Sequence, residues 1–174
     1  MVYRIYVEKK PGFDVEAQGL KNELVSLLGI QSLSGLRLLN RYDVEGIDEA
    51  LFNQCATTVF SEPPVDNTYA ELPEFEGISF AVEYLPGQFD QRAASAVDCV
   101  RLIDPSAEVR IRSSKLLLFD GAVTDEEIAR IKRYYINAVE SREKDLSVLS
   151  DMEQAEVKPV GALEGFREMA DSEL

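Results

Sequence analysis

An internal repeat constrains this chain more than any other feature. Val7-Glu8-Lys9-Lys10-Pro11-Gly12 returns as Val82-Glu83-Tyr84-Leu85-Pro86-Gly87, and Phe13-Asp14 returns one residue later as Phe89-Asp90. After each copy comes a helical pattern, then an apolar strand pattern that ends in an aromatic residue and aspartate (Tyr42-Asp43, Phe119-Asp120), then a second helical pattern. Self-similarity at a fixed spacing means that one supersecondary unit is used twice. The chain is therefore expected to be two β-α-β-α units.

Local chemistry supports each piece. Arg4 to Lys9 alternates with Ile5 and Val7 on one side, and Phe80 to Tyr84 does likewise, so both read as strands with one buried face. Pro11-Gly12 and Pro86-Gly87 stop the ladder, because proline donates no hydrogen bond and glycine permits the turn; Asp14 and Asp90 then stand where a helix N-cap belongs. Ala17, Leu20, Leu24, Leu27 and Leu28 make one helical stripe and Ala93, Ala96, Val97, Val100 and Ile103 another, ended by Gly29 and by Asp104-Pro105. Leu36, Leu38, Asn40, Tyr42 and Val44 share one side of the following strand, whose partner spans Val109 to Phe119 with Ser113-Ser114 as a bulge. Ile47, Leu51, Cys55 and Val59 form a core stripe. In the last helix Thr124 and Glu127 predict a capping box, Val123 and Ile128 a hydrophobic staple, and Ile131 and Tyr135 continue the inward face.

Four strands and four helices in this order predict a two-layer α+β sandwich of ferredoxin-like character, its halves related by a pseudo-twofold axis. The halves are 1–60 and 77–136, with 61–76 as connector and 137–174 as an acidic linker carrying ten acids against four bases.

Charge and composition narrow the function. With Lys+Arg 18 against Asp+Glu 32 the net charge is −14, and no basic cluster exists to replace the counterions of nucleic acid or to meet an anionic membrane. No long apolar run or signal-peptide pattern is present, so a soluble cytoplasmic protein is expected. Histidine is absent, which removes Ser-His-Asp and Cys-His catalysis and imidazole zinc sites from this chain. Cys55 and Cys99 lie in helical patterns without a second nearby cysteine and are expected to be buried packing residues. The Pro-Gly turns lack the run and the Lys-Ser/Thr of a phosphate loop, and Asp125-Glu126-Glu127 are acids in a helix's first turn, where the dipole favours them. Glu8 and Glu83 occupy matching positions, with nothing in the sequence to bring them together. Arg41, Tyr42, Gln88, Phe89, Asp90 and Arg92 gather guanidinium, aromatic and carboxylate groups at element ends, and are the candidates for docking on a partner.

Four separated segments carry a family resemblance: Arg4 to Ala17, Leu38 to Gly46, Phe80 to Ala93 and Asn137 to Glu143. Together they resemble the N-terminus of the large, single-chain phosphoribosylformylglycinamidine synthases of purine biosynthesis, with Ala138 where the family has proline. The resemblance covers essentially the whole chain. It implies a first domain similar to a dimer of the small companion subunit of split enzymes, a PurS-like fold, that docks on the synthetase core and supports ammonia transfer. It implies that the parent enzyme is an ATP- and glutamine-dependent ligase whose ATP and Mg sites and glutaminase nucleophile lie in later domains. No catalytic, cofactor or metal residue is then expected here, and the partners are the synthetase and glutaminase domains of the same chain, a second copy being a further candidate. Pro159 to Arg167 resembles the start of the family's linker domain, so the chain is expected to be the front of a longer enzyme. The alternative is an independent small-molecule-binding regulatory module.

Overall fold

Leu116, Leu117, Leu118 and Phe119 are all fully buried, although neighbours in a strand point to opposite faces. Such a run needs a sheet covered on both sides at its centre. The structure, a computed structural model, describes residues 1–146. Its elements are β1 (Val2–Lys9), α1 (Val15–Ser26), β2 (Leu33–Glu45), α2 (Glu49–Thr58), β3 (Asp66–Tyr69), β4 (Ile78–Tyr84), α3 (Gln91–Ile103), β5 (Arg110–Gly121), α4 (Asp125–Tyr135) and β6 (Ser141–Lys144). All six strands join one antiparallel sheet in the order β3-β1-β2-β5-β4-β6. The protein is α+β.

Six strands replace the four expected. The additional pair falls within the 61–76 connector and within the 137–174 segment, where Ser141–Lys144 is sheet rather than linker. Both are four-residue edge strands made mostly of polar side chains, too short to show a period of two.

The register follows one rule. Adding 75 to both members of the pair Val7↔Asn40 gives the pair Val82↔Lys115, and the same shift turns Tyr6↔Tyr69 into Ala81↔Lys144. The central β2–β5 ladder maps onto itself about Asn40↔Lys115. By this rule Tyr42 corresponds to Leu117, so the expected match of Tyr42-Asp43 with Phe119-Asp120 is two residues out. Gly46 and Gly121 obey it as well. Both have positive φ, 86° and 115°, and a Cβ on either would come within 2.2 Å of a backbone carbonyl oxygen, that of Glu108 or of Ser32. Only glycine fits there.

Packing crosses between the halves. Leu20 and Leu24 of α1 share a buried cluster with Ile128 and Ile131 of α4 over Leu36, Phe80, Leu117 and Phe119. Cys55 of α2 shares another with Ala96 and Val100 of α3 over Ile5, Val7, Tyr42 and Val44. Each leucine, isoleucine, valine or phenylalanine among them contributes roughly 1.5–3 kcal/mol on burial. The opposite face holds a third cluster of Tyr6, Leu39, Ala81, Leu116 and Leu118, covered by Tyr69, Leu72, Phe75 and Leu146.

Several local expectations are corrected. The ladder runs unbroken through Ser113 and Ser114, and the register shift lies between Leu33 and Gly35 instead. Asp14 occupies the N-cap of α1 without a capping hydrogen bond; its carboxylate accepts from the Gly12 N–H (3.0 Å) and from Gln18 Nε2 (2.8 Å). Leu27 ends α1 and is 69% exposed. Cys99 is exposed, because it stands off the Ala96–Val100 stripe of α3, whereas Cys55 is buried. The capping box of α4 forms as the spacing predicts: Thr124 Oγ1 accepts from the Glu127 N–H (3.2 Å), and the Thr124 N–H donates to Glu127 Oε2 (2.9 Å).

Candidate functional site

The six candidate docking residues do not form one site. Strand alternation places Tyr42 under the helices and Arg41 on the opposite face. Arg41 is 1% exposed and donates to Asp43 through Nη2 (2.9 Å) and Nε (3.1 Å), while Arg4 Nε donates to the same carboxylate at 2.6 Å. Burial alone would raise the Asp43 carboxyl, but the hydrogen bonds from Arg41 and Arg4 outweigh it and hold it below the usual carboxylate range. Asp90 caps α3 by accepting from the Ala93 N–H (2.9 Å) and anchors β5 by accepting from the Ser113 N–H (3.0 Å) and hydroxyl (2.8 Å). Gln88 and Phe89 lie on the exposed turn after β4, with Phe89 75% exposed.

Tyr42 and Arg92 do meet. Arg92 Nη1 donates to the Tyr42 hydroxyl at 3.2 Å, at the wall of a cavity of about 630 Å³. The cavity lies among the N-terminal half of α3, the end of α4, and β2, β4 and β5. Asn40 and Lys115, the pair on which the register rule turns, line its floor, and Cys99 and Tyr135 line its sides. Lys115 forms an ion pair with Glu16 of α1. Burial pushes the Tyr135 hydroxyl up to about 12, with Glu16 and Tyr84 adding to the rise, so it stays a proton donor at neutral pH. Among the described residues Arg92 has no ion-pair partner, and neither the Asn40 amide nor the Tyr135 hydroxyl has a hydrogen-bond partner.

Asn40, Lys115 and Tyr135 were not singled out from the sequence as site residues, yet a signal was there. Polar residues at inward positions of two central strands break the binary pattern, and such breaks mark function or compensation.

A second charge network lies across the sheet. Glu83 accepts from Arg142 Nε (2.9 Å) and pairs with Lys144 Nζ (2.9 Å), while Glu8 pairs with Arg37 (2.7 Å) and accepts from the Tyr69 hydroxyl (3.1 Å). The matching glutamates are thus each engaged by their own partners. For Glu83, burial pushes the carboxyl up, and Lys144 and Arg142 together pull it below the ordinary range. Among the described residues no three His, Cys, Asp or Glu side chains gather as a metal site requires, and no helix is long and apolar enough to cross a membrane.

Fold and site together define an α+β protein with a six-stranded antiparallel sheet and a polar cavity at its centre. No protein-family model matches the chain, and no curated protein matches it.

Proposed function

We propose that the chain is the N-terminal, PurS-like assembly domain of a phosphoribosylformylglycinamidine synthase, built from two fused ferredoxin-like units. The constant 75-residue register is the observation that carries this reading, because a fused pair of like subunits would pair its strands in that way. Gly46 and Gly121, each pressed against a carbonyl at matching positions, support it, as do the four sequence segments that resemble the family. On this reading the domain docks on the synthetase and glutaminase portions, and the parent's ATP, Mg and glutamine chemistry takes place there. Gln88 and Phe89 fit docking best, since both are exposed, whereas Arg41 is a buried structural residue and Asp90 an internal tie.

The test is complementation. A family enzyme lacking its own first domain is mixed with the 174-residue chain, and glutamine-dependent amidination of formylglycinamide ribonucleotide is followed. Restored turnover that falls at least about tenfold in apparent affinity with Phe89→Ala is the expected result. Absence of both restoration and physical association overturns the reading.

A further inference from the structure

The register rule pairs two cavities as well as two sets of strands. Beside α1 lies a space of about 170 Å³ lined in part by Phe13, Glu16, Leu38 and Asn40. Strand positions correspond at a shift of 75, as above, and helix positions at 76, since the N-caps Asp14 and Asp90 differ by that amount. Glu16 then corresponds to Arg92, Leu38 to Ser113 and Asn40 to Lys115, and these three counterparts all line the 630 Å³ cavity. Phe13 lines the small cavity, while its counterpart Phe89 is 75% exposed and lines neither. At these three positions the two places have diverged: an acid, a leucine and an amide beside the small space stand against two cations and a serine beside the large one, which Glu83 and Glu140 also line.

Core packing alone gives no reason to place Arg92 and Lys115 about a large space. Arg92 spends one donor on Tyr42 and has no ion pair among the described residues, although a guanidinium carries five N–H donors in a planar fork. Lys115 gives one bond to Glu16 and keeps two further ammonium protons. The Asn40 amide and the Tyr135 hydroxyl add neutral donors, and the half-buried Tyr135 adds apolar surface. A large, mostly preformed cavity with a few convergent polar groups is the usual form of a small-molecule site. Of the two acids that also line the cavity, Glu83 is already engaged by Arg142 and Lys144, and Lys115 is shared with Glu16, so Arg92 is the cation left to favour negative charge there, with Lys115 beside it.

We infer that this cavity binds a small organic oxyanion, a phosphate monoester or a carboxylate on a ring-sized planar body, with Arg92 and Lys115 holding the oxyanion, Tyr42 positioning Arg92, and Tyr135 beside the body. The inference does not depend on the assembly reading above. An independent ligand-binding module would use the same site.

Cys99 provides the readout, because it lines this cavity and is exposed while Cys55 is fully buried. The rate of Cys99 alkylation by N-ethylmaleimide is measured on the full 174-residue chain at constant ionic strength. Adenosine 5′-monophosphate is compared with adenosine, and phenylacetate with phenylacetamide, at millimolar concentrations. One anion of the two is expected to slow alkylation several-fold while its uncharged counterpart does not, and the anion that protects identifies phosphate or carboxylate as the ligand group. Arg92→Gln and Lys115→Gln are each expected to raise the half-protecting concentration by at least about tenfold, the loss of one charge-assisted contact. Arg130→Gln, outside the cavity lining and bonded to the Leu28 carbonyl, leaves it unchanged. Protection by neither anion beyond its neutral counterpart overturns the site, and so does undiminished protection in both cavity variants when their unliganded alkylation rates match the wild type.

Discussion

The two faces of the sheet are held in different ways. Under the helices, β2 and β5 present Leu36, Leu117 and Phe119 to α1 and α4, and stability there comes from apolar area. On the other face, Arg41, Arg4 and Lys144 converge on Asp43, and Lys144 and Arg142 on Glu83, around a small apolar patch. An apolar face tolerates truncation in proportion to the cavity left behind, whereas a buried charged face fails when one partner leaves and strands the other. The helix face should therefore be insensitive to pH and the far face sensitive to it.

The sharpest contrast is between single substitutions at the two centres. Phe119→Ala removes a fully buried ring stacked on Phe80 at 5.4 Å between centroids, and is expected to cost about 3–5 kcal/mol in urea unfolding. Arg41→Ala is expected to fall in a similar range, about 3–5 kcal/mol, by leaving Asp43 buried with fewer partners. Arg41→Met tells the faces apart, because it refills the volume: if it is as damaging as Arg41→Ala, the stranded charge governs that face, and if it restores most of the stability, lost packing does.

Next in size is the response to acid. The folded Asp43 and Glu83 carboxyls lie below their ordinary values of 3.8 and 4.5, so the unfolded chain takes up protons first as pH falls. Their stabilising contribution is complete above the ordinary carboxylate range and is lost as pH drops through the folded values. Thermal melts from pH 6 to 2.5 should show Tm falling below about pH 4, and the deficit of Asp43→Asn relative to wild type should shrink over that window. A deficit constant with pH would place the effect in packing.

The smallest expected effect separates both faces from local helix signals. Thr124→Ala removes the cap of α4 and should cost about 1 kcal/mol at every pH where the fold is intact, as read from urea midpoints.

Much of the helix face was legible in the sequence because its signals are local. The stripes Ala93, Ala96, Val100 and Ala17, Leu20, Leu24 are buried as their spacing predicts, and Thr124-Glu127 caps as written. The far face was not legible. Arg41 sits where a polar residue ordinarily faces solvent, and the apolar cover of that face comes from Leu72, Phe75 and Leu146, distant in the chain and without periodic pattern. The candidate site fell between these cases. Tyr42 and Arg92 stood out by type, but Lys115 and Tyr135 reach the cavity only through pairing across β2–β5 and packing of α4, which one-dimensional patterns do not specify.

Helices α1 and α4 share one core and α2 and α3 the other, so neither core can close until parts of both halves are present. The unit visible in the sequence is thus not the unit that folds. Contacts such as Leu24 with Ile131's cluster join residues about a hundred positions apart, and the loop entropy of that closure precedes the gain from burial. Such a chain is expected to fold slowly for its size, and either half alone would leave both cores unclosed and their apolar faces exposed to misassociation.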